Sequence, residues 1–431
     1  MLNTDAKGVN YKIVNRVEQH IIKKRHKYYE EIDKLCFLSK NLYNATLYTI
    51  RQEYFKTKNY MNYNTVNKLF TDSDNVDYRA LPSKVSKHTQ MLVDKNYKSF
   101  FKLLKNKNEG RYNNPVKMPK YLHKTKGRYI VHYEKGAINK GKPNDKLKLS
   151  GTNIYLDTKL PKEQVQFVRL IPHNNGQYYV LEIGYRKTIR LNDLERKEKY
   201  NIASIDLGVN NLMTVTSNVM SPIIYSGKPL KSINQYYNKR KAVLKSKLVK
   251  VNKKESHETS KRLNRLGLKR KNKINDYIHK ITKKLVNQLV SNQIEIVVIG
   301  YNKGWKQDIK IGSRNNQNFV SIPFKRVIEV ITYKLEEKGI KVELEKESYT
   351  SKCSFLDNET IKRQDNYKGN RITRGLYKSS EGKLINADVN GSYNILKKYI
   401  VRNYGKVAWN LSYFRDCVEV SSIPYLTKEV A

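Results

Sequence analysis

Residues 201–227 read NIASIDLGVNNLMTVTSNVMSPIIYSG, and this stretch decides the fold. Its apolar runs NIASIDLGV, LMTVTSN and SPIIYSG follow one another so closely that they predict three strands joined by antiparallel turns. A long helical stretch follows over about 230–290, and the apolar run IEIVVIGYN (294–302) then predicts a strand buried on both faces. A helix over about 321–338, the strand IKVELE and a last helix beginning near Asp388 complete the order.

Three antiparallel strands followed by alternating helices and strands is the element order of a ribonuclease-H-like fold. In this topology the fourth strand lies between the first and the fifth, so their carboxyl ends meet near one edge. Upstream, apolar residues spaced at threes and fours predict a helix over 28–56, and Pro82 fits the first turn of another that continues to Leu104. Short strands and turns over 112–187 predict a small β-barrel, with the helical segment set into it. The sequence therefore predicts α/β, all-β and helical parts.

The 431-residue chain is strongly basic, with 85 Lys and Arg against 39 Asp and Glu and a formal net charge of +46. Such a surplus of positive charge destabilises the folded chain by self-repulsion, and a polyanionic partner would compensate it. The pattern favours nucleic acid over an anionic membrane as that partner. No apolar run approaches the ~20 residues of a membrane span, and the N-terminal residues lack a signal-peptide core. The cysteines, Cys36, Cys353 and Cys417, form no CxxC pair, which excludes a disulfide framework and a zinc ribbon. We expect a cytoplasmic protein.

Two aspartates are candidate metal ligands. Asp206 directly follows Ile205 on the first strand of the predicted domain, and Asp388 begins the last helix in NADVNGSYNILKK. A turn or a helix cap would explain either residue alone. A buried pair of carboxylates, however, favours a divalent cation, which compensates the charge and prefers oxygen ligands. Two such ions about 4 Å apart could drive phosphodiester hydrolysis, for which a third carboxylate is usually needed.

A basic helical stretch is the candidate nucleic-acid surface. In SKRLNRLGLKRKNKINDYIHK (260–280), leucines and isoleucines form one face and cations the rest. An ordinary solvated helix face would explain this pattern in a neutral protein, but few acids balance the charge here, which favours phosphate contact. Trp305, Tyr301 and Phe319 could stack on bases, and core packing explains each equally well. The candidate phosphate-binding residues are Lys261, Arg262, Arg265, Lys269, Arg270 and Lys271.

In combination, these motifs resemble TnpB, the RNA-guided nucleases of insertion sequences and relatives of the type V CRISPR effectors. The matching stretches are SIDLGVNNLMTVTS, the basic helical pair, NFVSIPFKRVIEVITYKLEEKGIKV, ESYTSKCS and INADVNGSYNILKK, in the order of the family. Upstream, LCFLSKNLYNATLY and ALPSKVSKHTQMLVDKNYKSFFKLL are similar to its helical recognition segment, and the β-rich sequence around them is similar to its wedge domain. The resemblance implies a RuvC-type nuclease domain in which Asp206 and Asp388 supply the first and last acidic ligands.

The resemblance also implies how the chain is divided into domains. The implied segments are a wedge β-barrel in two parts (1–24 and 112–195), a helical recognition domain (25–111), a RuvC-like nuclease domain (196–350, with the basic helical pair at 228–290, and 382–405), a degenerate zinc-ribbon-type insertion that binds target nucleic acid (351–381) and a C-terminal tail (406–431).

Two departures from the family pattern concern metal ligands. The usual middle glutamate follows the fourth strand, and that position here is Gly300. The usual four-cysteine zinc ribbon keeps only Cys353, so we expect the insertion 351–381 to bind no zinc. Lys352 and Arg374 flank this altered insertion and are further candidates to contact nucleic acid near the scissile strand.

The fifth strand offers a replacement for the missing glutamate. If the strand in KVELEKESYTSK stays regular, Glu343, Glu345 and Glu347 share one face. Glu347 is nearest the carboxyl end, immediately before the YTSK motif that borders the active site in relatives. We therefore predict Glu347 as a relocated ligand, with Glu345 and Asp308 as alternatives. A solvated edge beside an inactive site is the competing explanation.

The sequence thus predicts a transposon-encoded, RNA-guided DNA endonuclease of a prokaryotic cytoplasm, associated with the nucleoid when bound to DNA. A guide RNA from the element's own end would pair with double-stranded DNA, while the protein reads a short flanking motif. Two Mg²⁺ ions, with Mn²⁺ as a substitute, would bind Asp206, Glu347 and Asp388. The alternatives are a nuclease-inactive RNA-guided repressor, which Gly300 favours, and a transposase that joins DNA strands.

Overall fold

A computed structural model of the chain describes residues 3–4, 10–141, 146–190, 200–252, 259–302 and 312–405. The chain divides into two compact units, one of residues 13–188 and one of residues 1–12 together with 189–431. Within the described ranges, no helix has both the length and the apolar character needed to cross a membrane.

The elements up to residue 190 are helices and mostly antiparallel strands: β1 (Asn3–Thr4), β2 (Asn10–Lys23), α1 (Tyr29–Thr57), α2 (Tyr63–Asp72), α3 (Val76–Arg79), α4 (Ser83–Asn108), β3 (Val131–Glu134), β4 (Ile138–Gly141), β5 (Lys146–Leu149), β6 (Val165–His173) and β7 (Tyr178–Arg190). One sheet has the order β1-β2-β7-β6-β3, and β4 pairs with β5. The predicted helix over 28–56 is α1, and Pro82 caps the start of α4. Closure of these strands into a barrel stays a prediction.

The elements from residue 200 onward alternate between strands and helices: β8 (Ile202–Asp206), β9 (Asn211–Ser217), β10 (Ile223–Ser226), α5 (Lys228–Asn252), α6 (Lys261–Ser291), β11 (Ile296–Gly300), α7 (Ser313–Ser321), α8 (Phe324–Glu336), β12 (Lys341–Glu345), β13 (Asn370–Thr373), β14 (Leu376–Lys378), β15 (Leu384–Asn386) and α9 (Ala387–Tyr404). The basic helical stretch is thus a pair of helices, and the predicted helix over 321–338 is α8, preceded by the short α7.

The central sheet of this unit has the strand order β10-β9-β8-β11-β12. β8 to β10 are antiparallel, and β11 is parallel to both β8 and β12. The fourth strand therefore lies between the first and the fifth, as the sequence predicts. Strand β11 is buried on both faces, because Val297 and Ile299 pack into a core shared with α6 and α8, while Ile296 and Val298 pack into a core shared with α9.

A second, small sheet supports the start of the last helix. Strands β13, β14 and β15 form an antiparallel sheet within the segment that follows β12. β15 runs directly into α9, whose first turn carries Asp388. The fold thereby brings the carboxyl end of β8, the carboxyl end of β11 and the N-terminus of α9 into one neighbourhood.

Candidate functional site

Asp206 is the last residue of β8 and lies against α9. A Cβ at Gly391 of α9 would be only 3.0 Å from Asp206 Oδ2, so the absence of a side chain there makes room for the carboxylate. Burial raises the pKa of Asp206 to about 7, and the charge of Asp388 adds to the rise, while the Leu207 backbone N–H and Arg371 oppose it. At neutral pH this carboxyl therefore needs a nearby cation to stay fully ionised.

Asp388 does not cap the helix that it begins. The cap is Asn386, whose side-chain oxygen accepts hydrogen bonds from the Asp388 N–H at 2.9 Å and the Val389 N–H at 3.3 Å. The Asp388 carboxylate instead accepts a bond from Asn211 Nδ2 at 2.7 Å, and Arg371 Nη2 lies 3.4 Å from its other oxygen. Since another residue does the capping, the Asp388 carboxylate is directed to the site that it shares with Asp206.

The carboxylate of Glu347 fills the space beside Gly300. A Cβ at Gly300 would overlap Glu347 Oε1 and would lie 2.6 Å from Ile395 Cδ1. Gly300 follows Ile299, which pairs with Ile205 of β8, so this space is adjacent to Asp206. Any side chain at position 300 would displace the Glu347 carboxylate from where it now lies.

Glu347 has one anchored oxygen and one without a partner. Its Oε2 accepts a hydrogen bond from Asn302 Nδ2 at 3.1 Å. Its Oε1 is buried and has no hydrogen-bond partner among the described residues. Burial raises the pKa of Glu347 to about 8, with a further rise from Asp206 and an opposing effect from Lys398. A buried, unpartnered carboxylate oxygen beside a second raised carboxyl is the arrangement that a cation would complete.

The alternative glutamates of β12 have other partners. Glu345 is buried, and its Oε2 lies 2.7 Å from Arg402 Nη1 of α9. Glu343 pairs with Lys341 at 3.0 Å. The strand ends at Glu345, so the regular alternation that would place all three glutamates on one face does not extend to Glu347. Asp308, the other alternative, lies outside the described residues.

The three predicted carboxylates do not form a compact single-ion site. Among the described residues, the trio of potential ligand atoms that lie within 4.8 Å of one another is His88 on α4 with His132 and Glu134 on β3. Two-metal sites hold their ions about 3.5–4 Å apart and so spread their ligands more widely. Asp206, Glu347 and Asp388 offer only hard oxygen donors, which suit Mg²⁺ or Mn²⁺ rather than zinc.

The basic helices present most of the predicted cations to solvent. The exposed candidates on α6 are Lys261, Arg262, Arg265, Lys269 and Lys271. Arg270 differs from them, because its guanidinium bonds to Asn234 Oδ1 at 2.7 Å and to the Ser321 carbonyl at 3.2 Å. The sequence pattern does not separate this internally bonded arginine from its neighbours.

The insertion 351–381 contributes an arginine that sequence reasoning missed. Lys352 and Arg374 are exposed, and the Arg374 carbonyl accepts a hydrogen bond from Arg371 Nε at 3.0 Å. It is Arg371, on β13, that reaches Asp388. The sequence signal was a pair of arginines three residues apart, and only the hairpin geometry shows which of them points toward the aspartate.

The remaining candidates have less direct relations to the site. Cys353 is buried, and its thiol donates to the carbonyls of Thr360 at 3.6 Å and Lys362 at 3.7 Å. Phe319 packs on Phe324 with ring centroids 5.1 Å apart, which favours a core role for it. Tyr301 is exposed. Trp305, Cys417 and the tail 406–431 lie outside the described residues.

Comparison with known proteins bears on both halves of the site. A family described as OrfB_IS605, probable transposase, matches residues 183–306, and a family described as Cas12f1-like, TNB domain, matches residues 324–395. The TnpB-like protein ORF457 of Acidianus two-tailed virus is 24% identical in a match that covers 91% of this chain and 88% of that protein. Together these similarities support a protein of the TnpB family. Asp206 and Gly300 fall within the OrfB_IS605 match, and Glu347 and Asp388 fall within the Cas12f1-like match.

Two solved structures are also similar to this chain. A Cas12f1–sgRNA–target DNA complex shares 15% sequence identity, with a TM-score of 0.48, over 86% of this chain and 82% of that chain. The C2c1 protein of Alicyclobacillus acidoterrestris, in complex with single-guide RNA, shares 8% identity with a TM-score of 0.41, over 86% and 65% of the two chains.

Proposed function

We propose that this TnpB-family chain is a metal-dependent DNA endonuclease whose nuclease domain is ribonuclease-H-like, of the RuvC type. The observation that carries the proposal is the Glu347 carboxylate, which fills the space beside Gly300 next to Asp206. One of its oxygens is buried and has no hydrogen-bond partner in the part of the chain that the structure describes. The chain has thus lost a side chain at the usual ligand position while keeping a carboxylate in the same neighbourhood.

Asp206, Glu347 and Asp388 are the residues that would hold two Mg²⁺ or Mn²⁺ ions. When bound, such ions activate water toward a phosphodiester and stabilise the leaving oxygen. The protein's own part is to orient the ligands: Asn211 fixes Asp388 and Asn302 fixes Glu347. Arg371 is exposed beside Asp388, where its guanidinium can contact a phosphate oxygen of the DNA strand.

We further propose that a guide RNA selects the DNA target. Family membership and the solvent-facing cations of α6 support this, as does the net charge of +46. In this mechanism base pairing reads the sequence, and the protein reads a short flanking motif and the shape of the duplex. The wedge, recognition and nuclease segments predicted from the sequence belong to this proposal, as does a prokaryotic cytoplasmic location with nucleoid association on DNA.

A nuclease-inactive repressor is the second candidate, because Gly300 replaces the usual middle glutamate. Such a protein would bind its RNA and its DNA target and would leave the DNA intact. A DNA-joining transposase is a third possibility, which the description of one matching family favours.

The deciding experiment uses the full chain purified with its bound RNA. Sequencing that RNA shows whether it is one defined species from the end of the element, as a guide requires, or a random sample of cellular RNA. A plasmid that carries the matching target is then incubated with and without Mg²⁺, beside the Asp206→Ala variant. Cutting that needs Mg²⁺ and Asp206 supports the endonuclease. Specific binding without cutting supports the repressor, and strand joining supports the transposase.

A further inference from the structure

The two basic helices enclose a cleft of about 230 Å³ that is not part of the carboxylate site. Residues spaced by three, four or seven positions share a helix face, which explains why one stripe from each helix lines it. The cleft is lined chiefly by Tyr236 and Tyr237 of α5 and by Leu266, Lys269, Arg270 and Lys273 of α6.

Arg270 and Tyr237 form the floor of this cleft, and their positions are fixed without a ligand. Arg270 is held by hydrogen bonds to Asn234 and to the Ser321 carbonyl. Its guanidinium also lies over the ring of Tyr237, 4.9 Å from the ring centroid. A cation and an aromatic ring that already restrain one another lose little freedom when a ligand binds.

Tyr236 forms the wall of the cleft, and Lys269 and Lys273 form its rim. Both parts are open to solvent, and they suit different parts of a nucleotide. Tyr236 is 57% exposed, so much of its aromatic surface is accessible to a base. Lys269 and Lys273 are exposed one helical turn apart on α6, and no described acidic residue forms an ion pair with either. Lys280 on the same helix differs, because it pairs with Asp276 at 2.8 Å.

We propose that this cleft binds one unpaired nucleotide of a single-stranded nucleic acid, with its base on Tyr236 and its phosphate between Lys269 and Lys273. The cleft is smaller than the ~300–1,000 Å³ of drug-sized pockets, which suits one planar ring system. A duplex keeps its bases stacked on one another, so a single strand is the form that can supply a base. The inference rests on the proposed function insofar as the chain must bind nucleic acid, and it does not require cutting.

The test measures binding of a short single strand that contains 2-aminopurine, whose fluorescence falls when the base stacks. The full chain is freed of nucleic acid at high salt and assayed in EDTA, with RNA and DNA versions of the strand. Tyr236→Ala should weaken binding of at least one of them by about tenfold or more and abolish the fluorescence change, because stacking is lost. Tyr236→Trp should retain both. Tyr121→Ala is the control, since Tyr121 is 42% exposed and lies outside both the basic helices and the predicted recognition segment.

A second comparison tests the phosphate contact. Lys269→Ala and Lys273→Ala should each weaken binding and reduce the salt slope by about one, while Lys280→Ala should change neither quantity. A preference of the Tyr236 effect for RNA or for DNA would identify which strand uses the cleft.

Two results would overturn the cleft proposal while leaving the endonuclease untouched. The first is unchanged affinity and unchanged quenching in Tyr236→Ala. The second is an equal loss of affinity in Tyr236→Ala and Tyr121→Ala. A chain that binds no nucleic acid would overturn both proposals. A chain whose binding depends on Tyr236 but which never cuts its target would support the cleft and overturn the endonuclease.

Discussion

Two regions depart from the family pattern, and the structure fills them differently. At the carboxyl end of β11, the position of the usual glutamate is Gly300, and the space is taken by the Glu347 carboxylate. One buried oxygen of that carboxylate bonds to none of the described residues. In the insertion 351–381, the missing cysteines are replaced by ordinary packing. There the Cys353 thiol bonds to backbone carbonyls, and the buried Glu359 accepts bonds from the backbone N–H groups of Ser354 at 2.7 Å and Lys368 at 3.2 Å.

The difference indicates what each region is for. A buried carboxylate with an unpartnered oxygen and a raised pKa is unfavourable for folding alone, so its presence needs a ligand to explain it. Buried groups with all their hydrogen bonds made need no ligand, because they stabilise the fold directly. We therefore expect a strong functional effect from changes at the first region and a structural effect from changes at the second.

The largest expected effect is that of Glu347→Gln, which keeps the size of the side chain but removes its charge. If Glu347 is the third ligand, cutting should fall by at least about a hundredfold, as it should for Asp206→Ala and Asp388→Ala. RNA-guided binding should survive in all three variants. The measurement is plasmid cleavage beside target binding by the same preparations.

The matched control is Glu343→Gln, since Glu343 lies on the same segment and pairs with Lys341 at 3.0 Å. Normal cutting by Glu347→Gln would show that the relocation is wrong, and Glu345 and Asp308 would then be tested. The double variant Gly300→Glu with Glu347→Gln tests whether a glutamate at position 300 can bind the same ions as Glu347. Plasmid cleavage by this variant is the measurement. A rescue would support this, although the new side chain must also displace Ile395 Cδ1, 2.6 Å from the added Cβ.

The next effect is on stability without divalent ions. The pKa values of Asp206 and Glu347, about 7 and about 8, lie above the 3.8 and 4.5 of the free side chains. The folded state therefore holds more protons than the unfolded state between about pH 4 and pH 8. Stability should be greatest below this window and should fall as the pH rises through it.

Thermal unfolding in EDTA between pH 5 and pH 8.5 checks this prediction. The melting temperature should fall by several degrees as the pH rises, and Mg²⁺ should restore it at high pH by favouring the ionised forms. The pair Asp206→Asn with Glu347→Gln should flatten the profile, since neither group then titrates. A profile that keeps its slope in the double variant would place the titrating groups elsewhere.

A smaller effect is expected from the insertion. Cys353→Ala should leave metal content unchanged and lower the free energy of unfolding by roughly 1–2 kcal/mol through lost packing and hydrogen bonding. Elemental analysis of chelator-treated protein should find no stoichiometric zinc. His88→Ala is the necessary companion, because the trio of His88, His132 and Glu134 could hold a metal by itself. One zinc per chain that persists in His88→Ala and disappears in Cys353→Ala would refute this interpretation.

The strand order of the central sheet could be predicted because it depends on apolar patterning, which a sequence shows directly. The buried run at 296–299 requires neighbours on both sides, and the order of elements leaves few ways to supply them. Glu347 could be predicted from the sequence as a ligand, but the packing of its carboxylate beside Gly300 could not. The reason is that β12 ends at Glu345 and the chain then leaves regular strand geometry. Arg371 and Arg270 were beyond prediction for a related reason: which of several adjacent cations turns inward depends on the partner that packs there.

The smallest predicted effect separates two neighbouring cations of α6. Arg270 is bonded to Asn234 and Ser321, whereas Lys271 is exposed. Arg270→Ala should therefore lower the melting temperature by a few degrees, because it removes the hydrogen bonds to the buried Asn234 amide oxygen and to the Ser321 carbonyl. Lys271→Ala should leave the melting temperature unchanged and should reduce the salt slope of nucleic-acid binding by about one, the loss of a single phosphate contact. Titrations at several salt concentrations, paired with thermal unfolding, measure both quantities on both variants. If the two variants proved equal in melting temperature, the internal bonds of Arg270 would contribute nothing to stability. If neither substitution changed the salt slope, the exposed face of α6 would not be a phosphate-binding surface. The net positive charge would then have to act elsewhere on the chain.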